Sequence, residues 1–137
     1  MDGDLRFSVP GRVISENRAL KVDTRYGHVR TYRTTECRDY QSAVAAFAGA
    51  ARGRRPPLDG YLEVLLTLVA PHRSALPDAD GIAKAPLDAL QGLIYANDRQ
   101  IDHLDIWRRI VPGESHRLDV TVRRLAPGRI SMEGGGR

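Results

Sequence analysis

The chain has 137 residues, 42% hydrophobic and 28% charged, which predicts one soluble globular domain and excludes a largely disordered chain. Lys and Arg together number 21 against 17 Asp and Glu, and the net charge of +4 favours polyanionic partners such as nucleic acid. Charge alone does not separate nucleic-acid binding from an ordinary basic surface.

The single cysteine and the short apolar runs argue against disulfide-bonded, multi-cysteine metal-binding and membrane-spanning proteins. Cys37 has no second cysteine for an intrachain disulfide or a multi-cysteine metal site, so we expect a small buried residue and a reducing compartment. The start of the chain contains Asp2 and Asp4 where a signal peptide would be basic, and the most apolar run, 62–70, is too short to span a bilayer. We therefore expect a cytoplasmic protein without membrane contact.

The N-terminal part predicts two strands. Leu5, Phe7 and Val9 alternate with polar residues up to Pro10-Gly11, which indicates a strand with one buried face. A loop follows through Asn17 and Arg18. Residues 26–33 are rich in β-branched and aromatic side chains, and we expect a second strand there.

A helix comes next. Thr34-Thr35 supplies an N-cap, and Gly53 ends the helical pattern. The apolar residues that recur at helical spacing between them are Tyr40, Val44, Phe47 and Ala51.

The remaining chain predicts three strands and a second helix. Residues 61–70 are nearly continuous in Leu and Val and predict a central strand, and 101–111 and 116–125 predict two more. In the last, Leu118, Val120 and Val122 share one face. A second helix is expected over 82–93, from Ile82, Leu87, Leu90 and Leu93.

This element order predicts an α+β fold, a single mixed β-sheet with two helices packed on one face. The domain would span 1–126. The tail, 127–137, contains three consecutive glycines and is expected to be flexible.

Candidate metal ligands lie around the second helix. Asp78 and Asp80 precede it, and Asn97-Asp98 follows it. Carboxylates two residues apart in an extended segment project to the same side and could share a hard cation such as Mg²⁺. The alternatives are that Asp80 caps the helix, that Asn97-Asp98 is a turn, and that Lys84 is simply solvated.

The joint pattern resembles the signature of RusA-type Holliday-junction resolvases. The residues that carry the resemblance are Asp78-x-Asp80, Lys84, Asp88-Ala89-Leu90, Gly92, Tyr95, Asp98 and Gln100-Ile101. The resemblance implies that Asp78, Asp80 and Asp98 bind the metal and that Lys84 is a catalytic cation beside the phosphate. Asp88 is interpreted as structural.

Several positions depart from that signature. Gly81 stands where the family usually has Asn, and Asn97 replaces the first Asp of the closing pair. Pro86 falls inside the helix pattern, so we expect the regular helix to begin near Ala85. Arginines that usually precede the first aspartate are absent, and the nearest basic residues are His72 and Arg73. No histidine is assigned a catalytic role.

The resemblance also implies a homodimer that makes paired cuts in a four-way DNA junction with Mg²⁺ or Mn²⁺, in a phage or prophage setting. Arginines are the candidate phosphate contacts: Arg52, Arg54, Arg55 and Arg73, with Arg108, Arg109, Arg123 and Arg124. The cluster at 52–55 could instead compensate a helix dipole. Other branched DNA or RNA substrates, or binding without cleavage, remain alternatives.

Overall fold

Residues 3–15 and 34–125, with the backbone of 20–23 and 30–33, are described by the structure, a computed structural model. The expected boundary at 126 and the tail lie outside the described residues, as do Asn17, Arg18 and His28. The strands are β1 (Leu5–Pro10), β2 (Leu20–Asp23), β3 (Arg30–Arg33), β4 (Leu62–Ala70), β5 (Ile101–Ile110) and β6 (Arg117–Arg124). The α-helices are α1 (Thr35–Arg52) and α2 (Lys84–Leu90), and short 3₁₀ turns occupy Arg73–Ala75, Ala79–Gly81 and Asp98–Gln100.

The main sheet has four strands in the order β1-β6-β4-β5. β6 is antiparallel to both β1 and β4, whereas β5 runs parallel to β4 at the edge. The sheet is therefore mixed, β4 is central, and the expected α+β class is confirmed. A parallel pair needs a long crossover, and the segment from residue 71 to residue 100 supplies it and carries the candidate aspartates.

The second predicted strand does not join this sheet. Only Arg30–Arg33 of the predicted 26–33 forms a described strand, and it pairs antiparallel with Leu20–Asp23 in a separate two-stranded ribbon. The expectation of a continuous loop after β1 missed β2. Residues 24–29 lie outside the described part of the chain.

The caps of α1 agree with the sequence. Thr34 is the N-cap, and its side-chain oxygen accepts a hydrogen bond from the Cys37 N–H at 3.1 Å. Gly53 has φ +60°, a left-handed conformation that suits glycine at a helix end, and its N–H donates to the Gly49 carbonyl at 2.9 Å. The buried stripe differs in part from the predicted one. It consists of Cys37, Tyr40, Val44 and Ala48, whereas Phe47 is 42% exposed.

The second helix is shorter than the predicted 82–93. Ile82 and Ile94 are buried, but they lie in the turns on either side of α2, where they continue the apolar pattern without being helical. Pro86 is the third residue of α2, where a backbone N–H would have no partner within the helix, so proline costs no hydrogen bond there. Gly92, with φ +87°, turns the chain after the helix.

One hydrophobic core joins the helices to the inner face of the sheet. Leu62, Val64, Leu66 and Leu68 of β4 meet Leu118, Val120 and Val122 of β6 and the buried side chains of both helices. The Gln41 side chain of α1 donates to the Ala85 carbonyl of α2 at 2.9 Å and fixes the two helices to each other. None of the helices in the described ranges has the combined length and apolar character that crossing a bilayer requires.

The outer face of the sheet contains a buried charge. Glu63 of β4 is only 6% exposed. Its carboxylate accepts from Arg123 Nε at 2.8 Å, and its other oxygen lies 2.6 Å from His103 Nδ1. Hydrogen bonding and charge from Arg123, followed by those from His103, outweigh burial and lower the pKa of Glu63. These contacts link β4, β5 and β6.

Candidate active site

Asp78 and Asp80 lie in the crossover just before α2. Asp78 is extended, but Asp80 lies in the 3₁₀ turn Ala79–Gly81, which the Gly81 N–H closes on the Asp78 carbonyl at 3.0 Å. The predicted extended segment is therefore wrong at Asp80, and the strand-like alternation from which a shared side was expected does not apply there. Both side chains are exposed, and within the described chain neither carboxylate makes a hydrogen bond or an ion pair.

The loop that carries these aspartates is held by its neighbours. Arg108 of β5 donates from Nη1 to the Pro77 carbonyl at 3.2 Å, and the turn Ala79–Gly81 packs beside the same strand. Ile82 is fully buried directly after the turn. The N-cap of α2 is Ala83, so Asp80 does not cap this helix.

Asp98 begins the last 3₁₀ turn, where the preceding residue has a structural role. The Asn97 side chain accepts from the Arg99 N–H at 2.8 Å, and Asn97 and Gln100 together form a capping box. The turn alternative is thus correct for Asn97. The Asp98 carboxylate itself is exposed and makes no hydrogen bond in the part of the chain described.

Two glutamines hold the Asp98 loop, and only one of them belongs to the recognised pattern. Gln100 accepts from the Ala96 and Asn97 N–H groups at 3.0 Å each, and it donates to the carbonyls of Leu58 and Gly60. Gln91 accepts from the Asp98 N–H at 2.9 Å. Nothing in local sequence spacing identifies Gln91, because its partner is seven residues away across a turn.

Lys84 lies on the first turn of α2. Its Nζ is 3.6 Å from Asp88 Oδ2, an i,i+4 pair that supports the structural interpretation of Asp88. Next to this pair, the Tyr95 hydroxyl donates to the Leu87 carbonyl at 2.8 Å. Burial, and then the charges of Asp98 and Asp88, raise the pKa of Tyr95, which places both carboxylates within electrostatic reach of its hydroxyl.

The donor chemistry of Asp78, Asp80 and Asp98 fits a hard divalent cation, which takes oxygen ligands and often needs only one or two carboxylates beside water and phosphate. The described ranges do not contain a preformed cluster, however: no three His, Cys, Asp or Glu side chains within them are grouped as a metal site. The ligand assignment therefore rests on residue type and position, not on convergence in this structure.

The two departures from the family signature have different consequences. Asn97 makes the capping bond that an aspartate would also make, because both are favoured N-cap residues. Gly81 does not have a positive φ, so its backbone conformation does not require glycine. The fold of these loops thus explains Asn97 and leaves Gly81 unexplained.

Several candidate DNA-binding arginines are used by the protein itself. Arg52 donates to the Leu93 carbonyl, and Arg55 donates to the carbonyls of Ala51 and Arg52 at the end of α1. Arg108, Arg123 and Arg124 likewise contact protein oxygens. Within the portion described, the arginines of the predicted set that are exposed and lack such partners are Arg54, Arg73 and Arg109.

A cavity also lies beside the Asp78 loop. The cavity, of about 290 Å³, is lined by Leu76, Pro77, Arg12, Glu36 and His116 among others. Burial, and then the charges of Arg12 and His72, lower the pKa of His116. Arg12 and Glu36 give the lining both signs of charge, so the cavity is not uniformly basic.

A family model of the endodeoxyribonuclease RusA matches residues 10–123. No curated protein matches the chain. The matched region begins at the last residue of β1 and runs nearly to the end of β6, so it contains both aspartate loops and strands β4 and β5 beside them. The chain belongs to the RusA endodeoxyribonuclease family.

Proposed function

We propose that this protein is a Mg²⁺- or Mn²⁺-dependent endonuclease that resolves four-way DNA junctions as a homodimer, by paired hydrolysis of two opposed strands. One observation carries the proposal beyond family membership. The three aspartates of the signature are exposed, and their carboxylates make no hydrogen bond or ion pair among the described residues. By contrast, Asn97, Gln100, Gln91 and Arg108 around them hold their loops.

Asp78, Asp80 and Asp98 would hold the cation or cations. A bound divalent cation supplies an activated water and offsets charge on the attacking and leaving oxygens of the phosphodiester. Gln91 and Gln100 act as positioning residues for Asp98, and Arg108 does the same for the Asp78 loop. Neither glutamine needs to contact DNA for this role.

Lys84 would bind the phosphate beside the cleaved bond. Its pair with Asp88 lies on the surface of α2, and such pairs contribute roughly 0–1 kcal/mol. Exchange of Asp88 for a phosphate oxygen therefore costs little free energy. Asp88 keeps the ammonium group on the exposed face of α2 until the substrate arrives.

DNA affinity should depend on Arg54 and Arg73, which are exposed and have no protein partner among the described residues. We expect Arg54→Ala to reduce the magnitude of the log–log salt dependence of junction affinity by about 0.9, the value for one lost phosphate contact. Arg55→Ala is the matched control, because Arg55 already donates to the carbonyls that end α1. Fluorescence anisotropy over a salt series measures both slopes. Equal slopes for Arg54→Ala and wild type would remove Arg54 from the DNA interface.

A panel of labelled substrates tests the proposed function and its alternatives. We expect cleavage of a synthetic four-way junction in Mg²⁺ or Mn²⁺, none in EDTA, and much weaker cleavage of linear duplex. Preference for flaps, forks or structured RNA would favour the same site acting on another substrate. Tight junction binding without cleavage in either metal would favour a binding protein that has lost turnover.

A further inference from the structure

β5 forms an edge of the main sheet and contacts another strand on one side only. It pairs with β4, and within the described sheet its other edge has no neighbouring strand. Three of its apolar side chains are exposed: Leu104 by 39%, Trp107 by 60% and Ile110 by 41%. A ten-residue edge with exposed apolar side chains is a template for pairing with another strand.

Strand β5 has two opposite charges on its outer face, Asp105 and Arg109, four residues apart. Asp105, Trp107 and Arg109 point to the outer face, because each pairs with an outer-face residue of β4. Asp105 and Arg109 are about 13 Å apart along the strand and do not pair with each other. Asp105 accepts a hydrogen bond from Trp107 Nε1 at 3.2 Å, while Arg109 has no hydrogen bond or ion pair among the described residues.

We propose that β5 pairs antiparallel with β5 of a second copy of this chain, about a two-fold axis through Trp107. Such an axis runs perpendicular to the sheet and keeps outer-face residues opposite outer-face residues. Asp105 then lies opposite Arg109 of the second copy, and the symmetry forms this ion pair twice. Leu104 lies opposite Ile110, also twice, and Trp107 lies opposite its own copy. Directly opposed side chains are close enough to interact.

Neighbouring registers lack this complementarity. With the axis at Ile106, Asp105 would face Trp107 and His103 would face Arg109, so two basic side chains would be opposed. With the axis at Asp105, two carboxylates would face each other, which is destabilising. The register centred on Trp107 opposes Asp105 to Arg109 and Leu104 to Ile110. It also places Ile106 opposite Arg108, whose guanidinium group contacts the Pro77 carbonyl.

This interface specifies the homodimer of the proposed function. The two main sheets would join into one of eight strands, with both candidate aspartate loops on the same face. Because Arg108, one residue from the axis, contacts Pro77, each Asp78 loop would lie near the axis. The inference rests on the dimeric part of that proposal, but its test measures association and not cleavage. A protein that does not pair through β5 but still cleaves junctions would contradict the interface alone. A protein that pairs through β5 but does not cleave junctions would contradict the proposed activity alone.

Cysteine cross-linking tests the register. Trp107→Cys places two thiols opposite each other at Cα separations that a disulfide spans, so oxidation should give a covalent dimer on a non-reducing gel. Asp105→Cys is the control and should give none, because its own copy would lie about 13 Å away along the paired strands. The native Cys37 is buried and does not compete. Cross-linking of Asp105→Cys but not of Trp107→Cys would overturn the register.

Charge reversal tests the same interface without a covalent bond. Arg109→Asp or Asp105→Arg alone should weaken dimerisation at least about tenfold in sedimentation, since each opposes like charges twice. The double variant Asp105→Arg/Arg109→Asp should restore it, and Asp102→Arg, outside the paired positions, should leave it unchanged. A monomeric wild type, or a dimer that ignores the single reversals, would reject the interface.

Discussion

Replacement of Asp80 by Asn should reduce the turnover of a four-way junction by at least about 100-fold, the loss that follows removal of one preorganised charge-stabilising group. Asn keeps the size of the side chain but removes the charge that would hold a divalent cation. Because the Asp80 carboxylate makes no contact within the described chain, the fold should be unaffected. Single-turnover cleavage in Mg²⁺ measures the effect.

Junction binding in EDTA separates this role from a role in DNA binding. Asp80→Asn should bind as tightly as wild type or more tightly, because it removes a negative charge near phosphate. Asp39→Asn, an exposed carboxylate on α1, is the control and should leave turnover unchanged. If affinity fell together with turnover for Asp80→Asn, this carboxylate would belong to the binding surface and not to a metal site.

Replacement of Glu63 by Gln should lower the free energy of unfolding by about 1.5–3 kcal/mol at neutral pH, the range for hydrogen bonds to charged groups. The glutamine side chain is neutral and has one acceptor oxygen, so it cannot replace the two charged oxygens that contact Arg123 and His103. Asp59→Asn is the control: Asp59 pairs with Arg124 at 2.8 Å but is highly exposed, so its loss should cost only about 0–1 kcal/mol. Urea denaturation compares the two variants.

The dependence on pH provides a second test of Glu63. Its pKa is lowered in the folded protein, chiefly by the hydrogen bond from Arg123. Its contribution is therefore present above the ordinary carboxyl pKa and is lost as the pH falls through the lowered value. The stability gap between wild type and Glu63→Gln should close on acidification. A gap that widens in acid, or a variant no less stable than Asp59→Asn at neutral pH, would contradict this account.

Sequence patterns predicted those parts of the fold where local chemistry dominates. The continuous apolar run of β4 and the alternation in β6 correctly gave a central strand and a strand with one buried face. The N-cap at Thr34 was also correct. The second helix was predicted too long, because Ile82 and Leu93 pack in or against the core although their backbone is not helical. Apolar periodicity reports burial, and it does not define helix ends.

The sequence named the candidate residues, but it did not give their local backbone geometry. The spacing of Asp78 and Asp80 predicted one shared side in an extended segment, whereas Asp80 lies in the 3₁₀ turn Ala79–Gly81. The contacts of Gln100 with Leu58 and Gly60 join segments about forty residues apart, and no periodic pattern encodes such a contact. Likewise, the sequence could not show that the Arg52 side chain donates to the Leu93 carbonyl, 41 residues away.

Cleavage of a supercoiled plasmid that extrudes a cruciform tests the central claim most directly. Two opposed cuts within one binding event linearise the plasmid, whereas a single cut leaves a nicked circle. We predict linear plasmid as the main product in Mg²⁺ or Mn²⁺, no product in EDTA, and no product from Asp80→Asn. Nicked circles alone, or cleavage that persists in EDTA, would contradict paired, metal-dependent resolution by this protein.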